Sequence, residues 1–203
     1  MPEKNHPGED KAWEVLATLK PEDVCKAASV AYDSANGLYR VKSFGMDFDL
    51  CVRDKTITSA APGSEVLLQK LGDFFRLSIL WYLAHAKNIA CTGRLIKLDT
   101  VQGGDIFTKG SHVLPLDTVA QKYGKNKEGF VDRGKSLGGE IRKYGDAALQ
   151  LAPLPRVPVI LTLWLEDEEF PARVDLLFDS TCGLQLPTDI IWSIAMMSLL
   201  VML

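Results

Sequence analysis

The stretch from Leu154 to Asp189, LPRVPVILTLWLEDEEFPARVDLLFDSTCGLQLPTD, places two strand-like runs on either side of an acidic turn. In the second run Phe170, Ala172, Val174, Leu176 and Phe178 share one parity, and Pro171, Arg173, Asp175 and Asp179 share the other. Side chains alternate across a strand, so this run predicts one dry and one wet face and a place at the outside of a sheet. In the first run both parities are apolar, Val157, Val159, Leu161, Leu163 and Leu165 against Ile160 and Trp164, the pattern of a central strand covered on two sides.

Upstream, Gly145-Asp146 separates Glu140–Tyr144 from Ala147–Leu151 and predicts a further hairpin. Downstream, Pro187, Thr188 and Asp189 open a helix, IIWSIAMMSLLVML, interrupted only by Ser193 and Ser198. Those serines lie about 140° apart around a helix and make no polar stripe. From Asp189 to Leu203 the helix reaches about 22 Å, short of a hydrocarbon core of about 30 Å. A core helix or a homodimer contact is expected in place of a membrane anchor.

Toward the N-terminus, Trp13, Leu16 and Leu19 recur at helical spacing within Glu9–Lys20, and Pro21 opens a second helix through Val24 and Ala28. Leu38–Phe44 and Phe48–Arg53 read as a hairpin around Gly45. Ser64 is placed to cap a long helix from Val66 to Ile89, whose second half carries His85 as an expected core histidine. Pro115–Tyr123 and Asn126–Leu137 predict two more short helices. The expected fold is α+β, with a mainly antiparallel sheet, a long central helix and an apolar C-terminal helix. It forms one domain over residues 1–203, with a helical start and hairpin over 1–63 and the main core over 64–203.

The chain has 203 residues, 47% hydrophobic and 24% charged, with a formal net charge of −3 and a pI near 5.6. That balance supplies no cationic field for nucleic acid or an acidic membrane. Cys25, Cys51, Cys91 and Cys182 show no CxxC and no zinc or iron–sulfur spacing, so they read as buried, reduced thiols. MPEKNHPGEDK has no apolar core of a signal peptide, which makes the cytoplasm the expected compartment.

Nine of the sixteen glycines fall between Gly103 and Gly145. Within that region GGDIFTKGSH brings Gly103, Gly104, Lys109, Ser111 and His112 together before a helix start, where backbone amides can bind an anion. It is not a Walker loop, because Lys109 precedes Gly110 and five residues separate the glycines where four are needed. Gly103, Gly104, Ser111, His112 and Trp164 are the candidate ligand-binding residues. His112, Glu168 and Asp146 are candidate acid–base groups, and Asp105, His112, Asp117 and Asp167 are candidate metal ligands. The turn Glu166-Asp167-Glu168-Glu169 has a plain alternative role in solubility and in discouraging edge pairing.

The pieces GGDIFTKGSHVLPLD, YGDAA, LPRVPV, LW followed by DEEFPA, LFDS and LPTDIIW keep their order from about Leu80 to the C-terminus. In them the chain resembles an uncharacterised domain-of-unknown-function family of anaerobic bacteria and archaea. Some relatives carry an added cysteine-rich iron–sulfur domain, which implies low-potential redox or corrinoid-type metabolism; this chain lacks clustered cysteines, so no cluster of its own is implied. The expected function is a small-molecule or cofactor-binding accessory protein, with a small molecule or a redox protein as partner. The alternatives are an enzyme using His112 with acidic residues, metal-assisted or not, and a non-catalytic interaction subunit.

Overall fold

A computed structural model describes residues 7–104 and 113–203. Helices α1 (Pro7–Thr18) and α2 (Pro21–Ala28) open the fold. Ala12, Trp13 and Leu16 bury one side of α1, while Leu19 lies just past its end and is exposed. A four-stranded antiparallel meander follows: β1 (Ala31–Asp33), β2 (Leu38–Ser43), β3 (Met46–Cys51) and β4 (Thr56–Thr58). The β2–β3 connection has positive φ at both central residues, Phe44 (47°) and Gly45 (77°), as a tight two-residue hairpin requires.

The expected long helix is interrupted. A π-helical turn over Val66–Lys70 passes through Leu71 into α3 (Gly72–His85), and no side-chain hydrogen bond caps either start, so Ser64 is not the cap. Helix α3 is central: it packs on α1, α2 and α7 (Thr188–Leu200), and the Phe75 ring meets Phe48 of the small sheet at 4.5 Å. Glu9 pairs with Arg76 and the Trp81 indole donates to the Gly8 carbonyl at 3.1 Å, fastening α1 along it. His85 is not in the core. The helix ends at this residue, and the exposed imidazole stacks on Trp81 with centroids 4.5 Å apart.

The second sheet runs β5-β9-β8-β7-β6, antiparallel throughout, with β5 (Leu95–Ile96), β6 (Glu140–Arg142), β7 (Ala147–Leu154), β8 (Val157–Trp164) and β9 (Arg173–Asp179). Strand β8 is central, as both its apolar parities require. Strand β9 is not outermost, because β5 pairs its last two residues. It also starts later than the alternation implies. Val174, Leu176 and Phe178 are buried, Ala172 is half-buried, and Phe170 is 66% exposed because it belongs to the turn. On the other parity Arg173 is exposed and Asp175 half-buried, but Asp179 is buried.

Leu149, Leu151, Val159, Leu161, Val174, Leu176 and Phe178 form the core face of this sheet, against α4 (Leu116–Tyr123), α5 (Lys127–Ser136) and α7. Asn126 caps α5 by accepting the Gly129 N–H at 2.9 Å. After a single short turn of helix, α6 (Cys182–Gln185), the apolar C-terminal helix α7 is a core element of its own chain. Ser193 and Ser198 hydrogen-bond to the carbonyls of Asp189 and Ile194, one turn back, so neither needs a polar stripe. Its far end is held by side chains: Arg133 donates to Val201 O at 2.8 Å, Tyr123 to Met202 O at 2.6 Å and Lys122 to Met202 O at 3.1 Å. Cations there also oppose the negative end of the helix dipole. Among the described residues no helix is long and apolar enough to cross a membrane.

Candidate functional site

The residues singled out from sequence fall in different places. Asp105, Ser111 and His112 lie outside the described residues. Gly103 has φ +77°, and Gly104 is buried so tightly that a β-carbon on it would run into the Leu98 carbonyl. Asp117 is exposed in the first turn of α4. Asp146 and the acidic turn do share one end of the five-stranded sheet, where Asp146 accepts the Leu165 N–H at 2.8 Å. Asp167 folds its own turn, accepting the N–H groups of Glu169 at 2.8 Å and Phe170 at 2.7 Å. Glu168 is exposed, and Glu166 pairs with Lys125 at 2.9 Å. Trp164 donates to Asp175 at 3.0 Å beneath the Arg173 guanidinium. These carboxylates serve the turn and the surface, and among the described residues no three His, Cys, Asp or Glu side chains are grouped to hold a metal ion.

A cleft of about 340 Å³ opens elsewhere, on the sheet face opposite the core. Register sets its floor: Glu140 pairs with Gln150, Gln150 with Ile160 and Ile160 with Leu177, so their side chains stand in one row across four strands. Arg142 on β6 lines one end, Ile160, Ala152, Pro155 and Pro158 the middle, and Leu95, Asp179 and Cys91 the other end. Strands lie about 4.8 Å apart, so β6 and β9 are separated by roughly 14 Å across the sheet. Arg142 is in register with Asp175, so Asp179 lies a further ~13 Å along the strand and the two polar ends are about 19 Å apart at the backbone.

The Asp179 end is built around a buried carboxylate, 3% exposed. One oxygen accepts the Thr181 hydroxyl at 2.7 Å, the Thr181 N–H at 3.0 Å and the Thr92 N–H at 3.2 Å. The other accepts the Gly93 N–H at 2.6 Å. Burial by itself raises the carboxyl pKa, but the donors of Thr181, Thr92 and Gly93 outweigh it and hold the group below the usual aspartate range. Cys91 sits beside it, exposed, its thiol donating to the Arg156 carbonyl at 3.6 Å. Partial burial and the Asp179 charge push that thiol up, so at neutral pH it is a protonated donor and not a ready nucleophile.

The Arg142 end is a guanidinium held in a fork: Nε donates to Gln150 Oε1 at 3.1 Å and one terminal nitrogen to Glu140 Oε2 at 2.7 Å. The other terminal nitrogen has a long 3.4 Å contact to the Ile141 carbonyl. Arg156, whose carbonyl accepts the Cys91 thiol, is a scaffold residue. Its guanidinium binds the Ala27 carbonyl at 2.8 Å and Asn88 Oδ1 at 2.7 Å, while its N–H donates to the buried Tyr82 hydroxyl at 3.1 Å.

Sequence reading missed this cleft. The exposed Cys91 corrects the expectation of buried thiols; it sits in a segment without periodicity, and nothing there signals a site. Asp179 carried one usable cue, since an aspartate two residues before a threonine at a strand end matches the Asx-turn pattern. Three of the sequence pieces do converge here: Tyr144 from YGDAA, Pro155 and Pro158 from LPRVPV, and Asp179 from LFDS. A second, smaller cavity of about 260 Å³ lies by Lys97, Leu98, Val113, Leu116 and Asp175.

A family model described as Domain of unknown function (DUF3786) matches residues 20–200. No curated protein and no solved structure matches the chain.

Proposed function

We propose that this chain, which belongs to the DUF3786 family of domains of unknown function, binds a small molecule in the cleft between Arg142 and Asp179. The observation that carries the reading is the cleft's make-up: an apolar floor with a guanidinium at one end and a buried, ionised carboxylate beside an accessible thiol at the other. Few, convergent polar groups on an otherwise apolar concave surface are what ligand sites share, and about 340 Å³ is at the small end of their range of roughly 300–1,000 Å³. The occupant is therefore small, and a corrin macrocycle does not fit.

The thiol's raised pKa favours binding over covalent catalysis, which supports an accessory protein over an enzyme. The setting we propose, from the resemblance in sequence, is the cytoplasm of an anaerobe and its redox or corrinoid-type metabolism. A second reading, an interaction subunit, draws on Tyr144, Trp164 and Phe170, large side chains 47%, 40% and 66% exposed. Burial of α7 in its own core weighs against that helix as the interface.

Amide chemical-shift mapping of the full chain against a fragment library tests the proposal. Shifts clustered at Gly93, Leu95, Gln150 and Ile160 are expected. Binding that maps only around Trp164 and Phe170, or nowhere, overturns it.

A further inference from the structure

Resting on the reading of this cleft as a binding site, we infer that its ligand is an elongated molecule with a carboxylate at one end, a hydrogen-bond donor at the other and an apolar body between. The two polar ends of the cleft differ in sign and in spare capacity. At β6, Glu140 and Gln150 occupy two of the Arg142 nitrogens in the forked geometry that presents the third to an acceptor. A carboxylate can take that nitrogen in a charge-assisted hydrogen bond. Because Glu140 already offsets part of the Arg142 charge and Asp179 adds a second negative group, one carboxylate is the most anionic charge the cleft accommodates, and a phosphate dianion is disfavoured.

At β9 the carboxylate of Asp179 lines the cleft, and the groups that donate to it, from Thr92, Gly93 and Thr181, are all neutral. Its first oxygen receives three close donors, whereas its second receives the Gly93 N–H at 2.6 Å and otherwise only the Thr92 hydroxyl at 3.4 Å. The second oxygen retains a lone pair for a ligand hydroxyl or amine. Between these ends Ile160, Ala152, Pro155, Pro158 and Leu95 offer no hydrogen-bonding side chain, so the middle of the ligand is apolar. A molecule with the reverse polarity would set its acid against Asp179 and its amine against Arg142.

Cys91 supplies a readout at the donor end. The alkylation rate of Cys91 by iodoacetamide, followed by peptide mass spectrometry on the full chain, is measured with increasing 3-(4-hydroxyphenyl)propionate, 3-phenylpropionate, 3-(4-hydroxyphenyl)propanol and tyramine. The first is expected to protect at the lowest concentration. Removing its phenol hydroxyl or its acid should raise the half-protecting concentration about tenfold, the scale of one hydrogen bond to a charged group. Arg142→Gln keeps a polar side chain of similar reach, and should raise that concentration about tenfold for the two acids while leaving the alcohol and tyramine unchanged. Circular dichroism confirms that the variant is folded. Tyramine protecting best, or acids unaffected by Arg142→Gln, overturns the assigned polarity while leaving the cleft as a binding site. No protection by any of the four, together with no amide shifts at the cleft, overturns both.

Discussion

Gly45, in the turn of the small sheet, and Gly138, just past α5, meet backbone to backbone: a β-carbon on Gly45 would lie 3.0 Å from the Gly138 Cα, and one on Gly138 would lie 2.8 Å from the Gly45 Cα. Both have positive φ, 77° and 69°. Next to this contact the Phe44 N–H donates to the Ala152 carbonyl at 2.9 Å, so the small sheet is joined to β7 at one point of close approach. Gly138→Ala should therefore destabilise by the left-handed strain of about 1 kcal/mol and by the clash as well. Gly63→Ala, at φ +82° with open space around it, carries the strain alone. Urea unfolding of both variants separates the terms, and equal losses would refute the close approach.

Phe178 is fully buried and Phe170 lies in the turn, although their spacing puts them on one parity. Phe178→Ala should lower stability by about 3–5 kcal/mol, and Phe170→Ala should stay within about 0.5 kcal/mol. Comparable losses at both positions would mean that β9 extends back to residue 170.

Asp179→Asn keeps the shape and removes the charged acceptor, leaving an amide among donors. The expected loss is about 1–3 kcal/mol at pH 7. Since hydrogen bonding holds the folded pKa below the unfolded value of about 3.9, the unfolded chain binds more protons in that interval and stability falls with falling pH there. The gap between wild type and Asp179→Asn should be constant above about pH 5 and shrink below about pH 4. Unfolding curves across pH 3 to 7 check this, and a gap that persists undiminished at pH 3 contradicts it.

Cys182 is 1% exposed and its thiol is pushed up to about 11, first by burial and then by the Asp179 charge. At pH 8 its thiolate fraction is on the order of 0.1%. Iodoacetamide should modify Cys91 in the native protein while Cys182 reacts only after denaturation. Peptide mapping of a short labelling time course gives the order directly, and early labelling of Cys182 would place it at the surface.

Much of the architecture was legible because alternation and glycine placement report local geometry. Val157–Trp164, apolar on both parities, is the central strand, and Gly145-Asp146 turns the chain between β6 and β7. What parity cannot report is what lies over a face. Asp179 sits on the wet side of β9, yet the Thr92-Gly93 segment, far away in sequence, closes over it. The same limit applied to His85, whose place on an apolar run suggested burial until α3 proved to end there. Phe170 failed for a different reason: Asp167 folds a turn of its own, so the alternation continues beyond the strand that it describes. The cleft stayed hidden because Arg142, Gln150, Ile160 and Asp179 belong to four strands, and only strand register brings them onto one face.

Helix α7 follows in the chain every element that it packs against, including α3 and β7. During synthesis on the ribosome, the apolar sides of α3 and of the large sheet are complete while their shared filling is still untranslated. Nothing upstream can substitute for Ile190, Ile191, Ile194, Met197 and Leu199, all of which end up buried. The nascent chain therefore carries exposed apolar surface until residues 188–200 emerge from the exit tunnel, the condition under which chaperones engage and aggregation competes. Once α7 docks, Arg133, Tyr123 and Lys122 latch its last turn, so this half of the molecule consolidates only after residues 188–200 have been made and released from the tunnel.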